Sequence, residues 1–275
     1  MSITETVLEM HYHRPLMELF LKTYGMGPGK LNFFKYSPQR EVFVGFDQAF
    51  AFTELTDAQF FEQLKTNAMN NGYKLSSKFI AFFLQFKVVT VLQKKQKKTP
   101  TQIKSKPHYR ASLDTTKNDN TGFSQHELLF NLNKNDGAEV YYACPMIFDK
   151  STLYEVNVDL NTLRLVDVSS CPSDFTDNSK HYIYFDQQQS NPIWCSEPVE
   201  GYAKTPNQFA EKIISQLRQT SSTESKVQLN SLLLKIRGLG NNAERNPKNE
   251  ETNDSLAWFA DSLTIIRFDE EIHNS

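Results

Sequence analysis

The chain has 275 residues, of which 39% are hydrophobic and 12% aromatic. That is enough to bury a sizeable core, and it excludes an intrinsically disordered polypeptide. A formal net charge of −2 excludes a global electrostatic pull toward nucleic acid or membrane, so any polyanion site has to be local.

The N-terminal stretch MSITETVLEMHYHRPLMELF is acidic early and interrupted by His and Arg, unlike a signal peptide. No run approaches the ~18 apolar residues of a membrane span, so a soluble, cytoplasmic protein is expected. Thr4 is the expected N-cap of a helix carrying Val7, Leu8, Met10, Leu16, Leu19 and Phe20, which Pro15 kinks or splits and the Gly25 to Gly29 segment ends. His11 and His13 resemble a metal pair, but an i, i+2 spacing on a helix points the rings apart. EVFVGFDQAFAF reads as a strand with Asp47 near its middle. TDAQFFEQLKTNAMNNG, which opens on Thr56 and closes on Asn-Gly, reads as a helix.

A strand follows from about Lys78 to Leu92. Within it, Phe82, Phe83, Leu84, Phe86, Val88 and Val89 make a buried apolar run, yet Gln85 and Lys87 interrupt it on one face. The next segment, QKKQKKTPTQIKSKPHYR, carries Lys94, Lys95, Lys97, Lys98, Lys104, Lys106 and Arg110 without one acid, and reads as a mobile basic loop able to contact phosphates. FSQHELLFNLNKNDG is expected as a helix ending at Gly137, AEVYYACPMIF as a buried strand with Cys144 a small hydrophobe, and HYIYFDQQQ as a further strand. Residues 206–238 read as two helices and 239–254 as a flexible linker.

Cys144, Cys171 and Cys195 are odd in number and lack C-x-x-C spacing, which argues for a reducing compartment and against a disulfide framework or zinc knuckle. The sequence carries no Ser-His-Asp or Cys-His pattern, no phosphate-binding Gly-rich motif and no dinucleotide fingerprint.

An acid on one strand and polar-x-Lys on the next have a chemical use. Mg²⁺ or Mn²⁺ takes oxygen ligands, which the Asp47 carboxylate, the Gln85 carbonyl and the main-chain carbonyl of Phe86 can supply beside a phosphate. Lys87, two residues on, can orient the attacking water and offset charge on the scissile group.

VGFDQAF followed by FFLQFKVV, with a helix before them and a helix and strand after, resembles the PD-(D/E)XK nuclease superfamily, in its Mrr-like branch where Gln replaces the acid of the last motif. The resemblance covers roughly residues 1–150. It implies a restriction-endonuclease-like mixed sheet flanked by helices, metal-dependent cleavage of DNA, and a setting in bacterial anti-phage defence. Because Gln85 removes a charge from the metal site, another carboxylate has to help: Glu41, on the face of Asp47, or Glu5 or Glu9 on the first helix, of which the resemblance favours Glu5 because superfamily members often carry an acid there. The expected division is an α/β nuclease-like domain over 1–205 and a helical C-terminal extension over 206–275. A second reading keeps the fold without chemistry, as a binding or assembly subunit whose Leu217, Leu229, Leu232, Leu233, Leu234 and Ile236 dock on a protein partner.

Overall fold

The structure, a computed structural model, describes residues 3–25, 31–35, 44–45, 75–117, 122–153, 158–177, 179–187, 191–195, 197–244 and 262–271. In chain order these form α1 (Glu5–Tyr24), β1 (Leu31–Lys35), β2 (Val44–Gly45), β3 (Leu75–Phe86), β4 (Val89–Leu92), β5 (His108–Ser112), α2 (Gln125–Asp136) and β6 (Glu139–Pro145). They continue with α3 (Lys150–Leu153), β7 (Leu163–Asp167), β8 (Tyr182–Phe185), β9 (Ile193–Cys195), β10 (Val199–Glu200), β11 (Ala203–Lys204), α4 (Pro206–Gln219), α5 (Ser222–Glu244) and β12 (Leu263–Glu271). The protein is α/β, with sheets flanked by helices. The helix expected from TDAQFFEQLKTNAMNNG, most of the strand bearing Asp47, and residues 245–254 of the expected linker lie outside the described residues.

The chain divides into two compact units, residues 1–23 with 83–211 and residues 24–82 with 212–275. This differs from the expected boundary at residue 205: both units draw on distant parts of the chain.

The first unit holds two sheet portions, ordered β11-β7-β6-β3 and β10-β9-β8-β5-β4. Its α1 starts where expected, with the Val7 N–H donating to Thr4 Oγ1 at 3.3 Å. Of the two outcomes expected at Pro15, a kink or a split, the split does not occur: the helix runs unbroken through Pro15 and buries Leu8, Tyr12, Leu16 and Phe20 at successive i, i+4 positions. The expected single strand from Lys78 to Leu92 is two. β3 stops at Phe86, the Lys87 N–H donates to the Ala143 carbonyl of β6 at 2.9 Å, and after an exposed Val88 the chain enters the second sheet as β4. An apolar run of this kind cannot by itself reveal a change of sheet, because each half is buried in its own core.

β6 is buried on both faces. Tyr141 meets Phe209 of α4 edge-on at 4.9 Å, and Tyr142 donates to or accepts from His126 Nδ1 of α2 at 2.8 Å. The start of α2 is over-determined: Ser124 and Glu127 form a reciprocal capping box, and the His126 N–H donates to the Asp114 carbonyl at 3.0 Å. Gly137, at φ 66°, takes the left-handed cap that ends it. Cys144 is buried, as expected, and all three cysteines are free.

The second unit carries the order β3-β12-β1-β2, with β12 antiparallel to β1 so that Leu31 faces Phe268 and Lys35 faces Thr264. Residues 206–275 are therefore not purely helical, which corrects the expected helical extension. LTIIRF has the length and β-branched content of a buried strand, and Leu263, Thr264, Ile265, Ile266 and Phe268 are all buried. Tyr24 packs on Phe268 at 4.7 Å, and Arg218 of α4 donates to the Tyr24 carbonyl at 3.2 Å. No helix among the described residues is long and apolar enough to cross a membrane.

His126 gives the first unit a pH dependence. Burial, the largest influence, pushes the imidazole from 6.5 down to about 4, against a partial offset from the Ser173 carbonyl that Nε2 meets at 3.0 Å. Since that carbonyl can only accept, Nε2 bears the proton and Nδ1 accepts from the Tyr142 hydroxyl. Below pH 6.5 the unfolded chain takes up a proton that the folded chain refuses, so stability falls as pH drops from about 6.5 to about 4, by about 3 kcal/mol in all. Urea denaturation at pH 7 and pH 4.5 checks this: the decrease in stability on acidification is expected to be smaller by most of that amount in His126→Gln, and equal decreases would contradict it.

Candidate functional site

Four side chains from widely separated segments converge in the first unit. Glu5 lies in the first turn of α1, Gln85 near the end of β3, Lys87 immediately beyond β3, and Gln125 in the first turn of α2. Gln85 Nε2 donates to Glu5 Oε2 at 3.2 Å, and Lys87 Nζ donates to Glu5 Oε1 at 3.2 Å, so one carboxylate spans both groups. Lys87 Nζ also donates to Gln125 Oε1 at 2.6 Å. Gln85 and Lys87 are only 7% and 4% exposed, whereas the Glu5 side chain is 41% exposed and connects the cluster to solvent.

The local folding explains this convergence. Lys87 sits where the chain leaves one sheet for the other, and its main-chain bond to Ala143 fixes that corner against β6. The capping box sets the rotational phase of α2, which determines where its first residue, Gln125, points. A Lys ammonium has three donors, and two are taken by Glu5 and Gln125; the third has no partner among the described residues.

Of the residues expected at the site, Glu5, Gln85 and Lys87 are brought together. Phe86 is buried with its ring 6.1 Å from Tyr12, and its carbonyl, expected as a metal ligand, accepts from Gln85 Nε2 at 3.3 Å. Asp47 and Glu41 lie outside the described residues. Gln125 is not anticipated from the sequence. The one signal for it is Ser124-x-x-Glu127, which marks a helix start and therefore a first-turn polar side chain close to whatever precedes it. Among the described residues there is no cluster of three or more His, Cys, Asp or Glu suited to a metal.

The basic segment is not the loose loop expected. It folds as a strap over the β4-β5-β8-β9 face, with Ile103 fully buried alongside Leu92, Tyr184 and Ile193. The main-chain N–H groups of Lys104 and Ser105 both donate to Asp186, and Lys98 Nζ donates to the Lys180 carbonyl. Arg110 stacks over the Tyr182 ring at 4.3 Å and donates to Gln96 Oε1 at 2.8 Å. Lys94, Lys95, Lys97, Lys98, Lys104 and Lys106 remain exposed.

Two other polar groupings differ in kind. Ser179 Oγ and Asp177 Oδ1 both meet the same ring atom, His181 Nε2, at 2.8 and 2.6 Å, so the three cannot act as a relay across the imidazole. His108 and the Tyr184 hydroxyl are buried with no partner among the described residues. No family model, curated protein or solved structure matches the chain.

The buried ammonium sets a stability test. Removing Glu5 leaves Lys87 in low dielectric without its counter-charge, whereas an apolar residue of similar length needs none. Glu5→Ala is expected to cost about 1–2 kcal/mol, softened by the carboxylate's partial exposure, and Lys87→Met to be neutral or stabilising. In the double variant the Glu5→Ala penalty is expected to disappear. Chemical denaturation of the four proteins reads this directly, and additive single effects would show that the pair is not energetically coupled.

Proposed function

We propose that the chain is a metal-dependent nuclease hydrolysing phosphodiester bonds of DNA, with Glu5, Gln85 and Lys87 in its reactive centre. The observation that carries this reading is the convergence on one carboxylate of a Gln-x-Lys pair and a first-helix acid, about eighty residues apart in sequence. Buried polar groups need partners, but an ammonium pinned by two acceptors with a third donor left over suits a group that must orient a water or phosphate oxygen.

The donor chemistry fits a hard divalent cation in part. The Glu5 carboxylate and the Gln85 amide offer oxygen, the ligand type that Mg²⁺ and Mn²⁺ take, and Asp47 would supply the second carboxylate. Bound there, the cation would polarise the scissile phosphate and lower the pKa of the attacking water. Lys87 then holds the nucleophile in line and stabilises charge on the departing phosphate oxygens, while Gln125 fixes the direction of its ammonium. The exposed lysines of the strap, which leaves β4 only a few residues after Lys87, guide the phosphate backbone.

A second reading, an assembly subunit without chemistry, is favoured by one feature of the second unit. Val227 and Leu234, seven residues apart on α5, are 63% and 64% exposed and lie on one helical face. Several of the leucines expected to dock are instead used within the protein: Leu217, Leu229 and Leu233 are buried.

Gln85→Glu separates the two readings. It places a second carboxylate beside Glu5, so without metal the melting temperature is expected to fall. Under the nuclease reading, millimolar Mn²⁺ or Mg²⁺ restores it, and calorimetric titration shows metal binding at least as tight as in the parent. A variant that metal cannot rescue favours the assembly reading. Lys87→Ala is expected to abolish cleavage of plasmid and of labelled oligonucleotide while the protein stays folded, and cleavage at the parental rate would remove Lys87 from the mechanism.

The strap has its own test. Neutralising Lys94, Lys95, Lys97 and Lys98 is expected to lower the slope of log K against log salt by about 0.7–0.9 for each phosphate that is no longer neutralised, with little change in melting temperature. An unchanged slope in an anisotropy titration would exclude these four from binding DNA.

A further inference from the structure

Resting on the nuclease reading, an exposed aromatic pair in the same unit as the candidate site carries information about the form of nucleic acid it takes. Tyr109 of β5 and Phe148, just beyond β6, stack with ring centroids 4.9 Å apart and planes 9° from parallel. Phe148 is 43% exposed, so this nearly parallel aromatic pair is partly open to solvent. The pair is held in place: Gln187 Nε2 donates to the Tyr109 hydroxyl at 3.0 Å, and the Gln187 N–H donates to Ser105 Oγ at 3.0 Å. Ser105 lies between Lys104 and Lys106, both exposed, so Gln187 ties the rings to the lysine-bearing strap.

We propose that this pair is a stacking platform for an unpaired base, and that the preferred ligand is single-stranded DNA. A rigid exposed ring at the surface costs hydrophobic free energy unless something covers it, and a nucleobase has a π-face that matches it whatever its sequence. Flanking lysines then meet the phosphates, the combination of stacking and cationic attraction by which single strands are bound. A duplex, with its bases already stacked on each other, offers no such face except at its ends. Tyr109 sits opposite Val91 in the β4-β5 register. Val91 belongs to β4, the strand that the chain enters after Lys87 and Val88.

Fluorescence anisotropy with the full chain, using a labelled deoxythymidine 12-mer, its uridine counterpart and a 12-base-pair DNA duplex, tests this. Phe148→Ala is expected to weaken binding of the deoxythymidine strand by about 5- to 100-fold and the duplex by less than about twofold, with Phe148→Trp restoring the strand. Equal weakening on strand and duplex, or none on either, would overturn the platform while leaving the nuclease reading standing. Parental preference for the uridine strand would overturn the choice of DNA. Parental binding to none of the three would overturn both the platform and the reading beneath it. Because Phe148 is half in solvent, an unchanged thermal melt is expected to show that the variants fold.

Discussion

An ammonium held almost out of water is the constraint around which the first unit is arranged. Lys87 is charged and 4% exposed, which is tolerable only because Glu5 and Gln125 supply acceptors from two different helices. Both helices must begin where they do. If α1 started a turn later, Glu5 would be absent from its first turn; if the Ser124 capping box slipped by one residue, Gln125 would rotate about 100° away. The position of Lys87 is fixed in turn by the passage of the chain between sheets, secured by one main-chain bond to Ala143. Stability does not account for this arrangement, since apolar residues in the same space would serve equally well. An ion pair that is costly to bury and sensitive to helix phase is the kind of arrangement that the proposed reactive centre requires.

Part of this is legible in the sequence. Gln85 and Lys87 stand out because polar side chains two residues apart in an apolar run share a face, and Glu5 can be nominated because the first helix is readable from its spacing and from Thr4. α2, β6 and β8 are likewise visible as periodic or continuous apolar segments bounded by Ser124, Gly137 and the Ser/Asp-rich stretch before His181. Other features depend on tertiary context. The break at Lys87 and Val88 is hidden by apolar residues on both sides of it. Gln125 cannot be identified as a partner of Lys87, because a helix cap gives a start and a phase but no address in space. β12 does carry a strand signal in LTIIRF, but its place beside β1 joins residues more than two hundred apart, which local pattern cannot supply.

The basic strap illustrates how composition misleads about order. A run rich in lysine with no acids reads as a solvated coil, because its charges repel and nothing in the run pairs with them. Its anchors are elsewhere in the chain and are mostly main-chain or apolar: Asp186 accepts from two consecutive amides, the Lys98 carbonyl accepts from Cys195 Sγ at 3.2 Å, and Ile103 fills the core beneath. The fold therefore holds the strap chiefly by its backbone and leaves most of its ammonium groups facing solvent.

That division of labour is how a nearly neutral protein would meet the polyanionic ligand proposed for it. With a net charge of −2 overall and seven cations between Lys94 and Arg110, the rest of the chain is net acidic. A phosphate backbone would meet at the strap an attraction that the rest of the chain, net acidic, does not offer, so the field selects a place as well as a sign. Because few cations act together, such a distribution gives weak non-specific binding with a modest salt slope. Affinity beyond that electrostatic minimum has to come from interactions that salt does not screen. The exposed aromatic pair of Tyr109 and Phe148, tied by Gln187 to Ser105 between two lysines of the strap, offers such an interaction.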